Sequence, residues 1–184
     1  MLAATSWTIQ FDSGARFSRI DIAGLLRQEI PLGSDRQLRK TIDDLRELER
    51  KCFAARNRFA FYDYLAVVFE LHVQLRRRNQ AKPSARRIAK LFELREHKRT
   101  HLIRVIIDAT STTDLKTRSR WSRALRYAWH ERRKWTDLDA FLRENGGPAG
   151  CARQFAAIRK KDQPYIVYRY AGTGRPYLIV HKDA

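Results

Sequence analysis

From Leu38 to Leu75 the apolar residues recur at the spacing of an α-helix, and the pattern breaks once, at Arg56-Asn57-Arg58. Leu38, Ile42, Leu45, Cys52 and Phe53 make the first stripe, with Ser34 or Asp35 placed to cap its start. Phe61, Leu65, Val68, His72 and Leu75 make the second, in a helix from about Phe59 to Arg78. Two helices so close in sequence predict an antiparallel hairpin. Tyr64, Phe69 and Leu71 widen the second stripe. That surplus predicts burial against another element or another copy, and hence a homodimer. Upstream, residues 6–11 alternate like a short strand, and residues 18–30 read as a short helix ended by Pro31 and Gly33.

The stretch RRRNQAKPS at 76–84 is the expected boundary between a helical N-terminal region, 1–80, and a basic region, 81–184. Beyond it Ser84 is positioned to cap a helix through Ile88, Leu91, Phe92 and Arg95. Residues 100–111 are richly apolar and predict a buried helix, with a strand as competitor because of their β-branched content. Asp114 or Thr113 caps a helix reaching Arg133, and Thr136 caps a short one ended by Gly146-Gly147. Pro148 suits the first turn of the next helix, which runs to about Lys161. Two β-rich runs around AGTG then predict a hairpin. The expected fold is therefore mainly α. From residue 114 the order helix, helix, glycine turn, helix, hairpin resembles a winged helix-turn-helix module. The resemblance implies a third helix that enters the major groove, a hairpin wing beside it, and Arg175 at the wing tip reaching phosphate or minor groove.

Charge points to the partner. The 184 residues carry a net charge of +18, distributed as +3 over residues 1–60, +6 over 61–110 and +9 over 111–184. With 43% hydrophobic residues the chain has the means to build a core, so the excess belongs to a folded surface. Such a surface concentrates polyanions. In the helix from 114, Lys116, Arg120, Arg123 and Tyr127 line the side opposite Trp121, Leu125 and Trp129, a stripe suited to a phosphate backbone. In the helix after the glycines, Cys151, Phe155 and Ile158 share one face. Arg153 and Lys160 project among Ala149, Ala156 and Ala157, with Gln154, Lys161 and Arg159 on the shoulders. Arginine reads guanine, glutamine reads adenine and lysine holds phosphate. Arg169 and Arg175 add cations on the hairpin, and residues 76–99 hold ten basic residues against two acidic ones as a second phosphate contact or a solvated segment.

The resulting expectation is a double-stranded DNA-binding regulator or a replication or partition factor, with RNA not excluded. Its rivals are a protein-binding adaptor and a small ribonuclease using Arg169, Tyr177 and His181. No phosphate loop, dinucleotide fingerprint or nucleophile elbow occurs, so neither an enzyme nor a cofactor is expected. His97 and His101 are spaced i, i+4 without an HExxH motif, and no metal site is expected. His72 reads as a satisfied core histidine, and Cys52 and Cys151 as small packed thiols. The N-terminus shows no secretory pattern and no apolar run approaches ~20 residues, so the expectation is a cytoplasmic protein without a membrane partner.

Overall fold

The computed structural model of the chain describes residues 34–54, 59–94 and 100–159 in full, and a few further segments by their backbone alone. Of the fully described residues 83% are helical and none lies in a strand. Among the described residues there are seven α-helices. They are α1 (Asp35–Ala54), α2 (Ala60–Arg77), α3 (Ala81–Leu91), α4 (Leu102–Thr110), α5 (Leu115–His130), α6 (Leu138–Glu144) and α7 (Gly147–Lys161). One turn of 3-10 helix, Trp135–Asp137, precedes α6.

Helix α2 is the axis. Its buried residues, from Ala60 and Tyr62 to Val73 and Leu75, surround the helix, because α1, α3, α4, α5 and α6 all pack on it. A helix apolar all round must be covered on all sides. Tyr64, Phe69 and Leu71, the residues behind the expected homodimer, are 0%, 0% and 1% exposed within one chain. The surplus that pointed to a second copy is thus consumed by the fold itself.

Side-chain caps set three of the helix starts. Ser34 Oγ accepts the Gln37 amide and caps α1. The Asp114 carboxylate accepts the Lys116 and Thr117 amides at the start of α5. A hydrogen bond from the Thr117 side chain, together with these amide bonds, holds its carboxyl below the usual range. The apolar stretch at 100–111 contains the buried helix α4, Leu102–Thr110, whose N-cap is His101: its Nδ1 accepts the Ile103 amide. Helix α3 starts before the expected cap. Pro83 falls in its first turn, and Ser84 lies inside the helix, buried. Within the 76–84 stretch the two helices are joined by a tight turn over Arg78, Asn79 and Gln80, with Asn79 at φ 56°.

Polar ties link the layers. Glu49, 2% exposed, accepts the Ser111 hydroxyl and the Thr112 amide, fixing α1 to the α4–α5 junction. The Tyr64 hydroxyl meets Thr110 Oγ1 at 2.6 Å. Asp108 accepts from Arg104 at 2.6 Å and Arg118 at 3.1 Å, joining α4 to α5.

The winged-helix expectation is overturned. The fully described body holds no sheet, and the C-terminal segments Tyr165–Tyr170 and Pro176–His181 ladder only with each other. Helix α7 instead closes a helical corner, packed chiefly on α5 and also on α6. Its apolar residues Cys151 and Phe155 are buried there.

Candidate nucleic-acid interface

Charge in the body is segregated by helix. Helices α3, α5 and α7 contain thirteen Lys and Arg and no Asp or Glu. Helix α1 contains Asp35, Asp43, Asp44, Glu47 and Glu49. On α1 the charges cancel locally, through Asp43–Arg46 and through Glu47 with Arg50 and Lys51. Helix α3 is partly cancelled as well, since Arg87 holds Asp35 at 2.7 Å. The α5–α7 pair differs: among its described cations only Arg118 has a carboxylate partner, Asp108. Like charges gathered on two touching helices raise the local potential, and an anionic partner relieves it.

The sequence-predicted residues fall into three groups. Lys116, Arg123, Arg153 and Arg159 are exposed and Arg120 is half-buried, so these side chains remain accessible. Arg153 projects between exposed Ala149 and Ala157, as the spacing predicted. Buried Tyr127 and exposed Gln154 are brought together at the edge of the α5–α7 contact. The Tyr127 hydroxyl, on a residue 8% exposed, donates to Gln154 Oε1 at 2.6 Å. Gln154 Nε2 then donates to Asn145 Oδ1, and Asn145 Nδ2 to the Phe141 carbonyl. This chain pins α5, α7 and α6 together and occupies the amide expected to read adenine. The side chains of Lys160, Lys161, Arg169 and Arg175 lie outside the described residues, as do His97 and the catalytic trio of the ribonuclease alternative.

Arg126, absent from the predicted basic stripe, and Arg76, the first residue of the basic 76–99 stretch, join the surface. The Arg126 guanidinium lies over the Phe155 ring, 4.7 Å from its centroid, and Arg76 lies 5.9 Å from the Trp129 ring. Burial, and then the charge of Arg159, lower the Arg126 pKa. The i, i+3 spacing of Arg126 and Trp129 was visible in sequence; their partners across helices were not.

Beneath this surface His72 is 0% exposed, with His101 5.1 Å and Trp129 5.3 Å away between ring centroids. Neither nitrogen of His72 has a hydrogen-bond partner, so the expected core histidine is buried but not satisfied. Burial of Cys52 and Cys151 pushes their thiols up to about 12 and about 11, which makes them inert at neutral pH. Among the described residues there is no cluster of three or more His, Cys, Asp or Glu able to hold a metal. No described helix is long and apolar enough to cross a membrane. No protein family, no curated protein and no solved structure matches this chain.

Proposed function

We propose that this protein binds nucleic acid, with duplex DNA as its main ligand, and that the α5–α7 pair is the contact surface. The observation that carries the reading is the acid-free composition of two helices that pack on each other, nine cations with a single ion-paired member among those described. Exposed, unpaired Lys and Arg on a rigid helical surface gain most from neutralising phosphates and releasing their counterions. With Gln154 hydrogen-bonded to Tyr127 and Asn145, this surface acts chiefly on the backbone, and exposed Arg153 is the side chain left to meet a base edge. A role in regulation, replication or partition is compatible with such binding.

The test is a salt series on variants. Arg120→Ala and Arg123→Ala should each make the plot of log affinity against log salt shallower by about one charge. Arg118→Ala should leave the slope unchanged, because that guanidinium is held by Asp108, and should instead lower thermal stability. Equal slopes in wild type, Arg120→Ala and Arg123→Ala would remove α5 from the interface.

A further inference from the structure

Arg76, Arg126 and Arg159 are linked through two aromatic rings. Arg76 rests over Trp129; Trp129 is one turn along α5 from Arg126; Arg126 rests over Phe155; Phe155 is one turn along α7 from Arg159. These links cross α2, α5 and α7. None of the three arginines has a carboxylate partner among the described residues. Burial, then Arg126 and Arg76, oppose protonation of His101, so it stays neutral and adds no positive charge beside the two arginines. A guanidinium lying on a ring keeps its planar N–H fork directed sideways and loses less freedom when an anion arrives. Fork geometry matches the oxygens of a phosphate. The Arg126–Arg159 repulsion noted above is a further charge conflict that a bound oxyanion removes.

We infer that Arg76, Arg126 and Arg159 form an oxyanion-binding row that takes successive phosphoryl groups, with Arg126 as its centre. The inference rests on the nucleic-acid reading for its natural ligand, while the shared chemistry is a linear run of phosphates. Inorganic tripolyphosphate is the probe that separates the two. Calorimetric titration of the full chain with tripolyphosphate, and of duplex DNA at fixed salt, should be made on wild type, Arg126→Gln, Arg159→Gln and Arg36→Gln. Arg36 is exposed on α1, removes the same charge and lies outside the row. Arg126→Gln should weaken both ligands about tenfold or more, as loss of a charge-assisted hydrogen bond requires, and Arg36→Gln should change either by less than about threefold. Arg159→Gln, on an exposed side chain, should fall between them and serves if Arg126→Gln folds poorly. Arg126→Lys should recover only part of the loss, since it restores charge without the fork. Tripolyphosphate bound without any nucleic acid would keep the row and discard the nucleic-acid reading. Equal effects of Arg126→Gln and Arg36→Gln on DNA would overturn the row and leave general charge attraction standing.

Discussion

Gly150→Ala should lower the stability of this protein by about 3 kcal/mol, the upper part of the overpacking range, or prevent folding altogether. A Cβ built on Gly150 meets the Asn145 carbonyl oxygen at 1.8 Å and its carbon at 2.9 Å. These are backbone atoms of the corner between α6 and α7, and the Gly150 amide itself hydrogen-bonds the Gly146 carbonyl. The corner cannot open without pulling Cys151 and Phe155 out of the core. Gly147→Ala should cost less, about 1–2 kcal/mol. There φ is +73° and the added methyl meets only the Tyr62 hydroxyl, at 3.2 Å. Thermal melts of the two variants give the order. A Gly150→Ala protein as stable as wild type would show that the α6–α7 corner is wrongly described.

Acid should destabilise the fold well before its carboxylates protonate. Burial, then the charges of His101 and Arg76, lower the His72 pKa from 6.5 to about 3. Burial, then Arg126 and Arg76, lower that of His101 to about 4. Both folded values lie below the unfolded one, so between about pH 6.5 and 4 the unfolded chain binds more protons than the native one. Stability is therefore intact above about 6.5 and falls as pH drops, by up to ~1.4 kcal/mol per pH unit for each histidine. From pH 7 to 4.5 the pair should remove of order 3–5 kcal/mol. His72→Leu should roughly halve that slope. It should hold or raise stability at pH 7.5, because it replaces two unpartnered buried nitrogens. Denaturant titrations at stepped pH read both effects. A midpoint that does not move between pH 7 and 5 contradicts the buried histidine pair.

What was legible in the sequence was local. The Asp114 cap, the paired glycines at positive φ, and the buried faces of α2 and α4 follow from neighbours within a few residues. The outward position of Arg153 followed from helical spacing alone. What misled was also local evidence, outvoted by tertiary packing. Ser84 has the chemistry of a cap, but α3 begins three residues earlier and buries it. Tyr127 sits on the basic side of α5 by spacing, yet α7 and Phe141 cover it. A glycine turn followed by a helix looked like the preparation of a DNA-reading element, whereas at Gly150 the Asn145 backbone of the α6–α7 corner occupies the space a Cβ would need. The Arg118–Asp108 tie, the Glu49 cap of the α4–α5 junction and the arginine row join residues that sequence periodicity does not relate.

The central claim is that the α5–α7 pair, two helices without Asp or Glu, neutralises nucleic-acid phosphates. Its most direct test is the affinity of the wild-type chain for a duplex DNA of random sequence, measured from 50 to 300 mM salt. Contact with some five phosphates predicts a linear fall with a slope of roughly −4 to −5 in log–log form. A slope shallower than about −1, or no binding at the lowest salt, would contradict it.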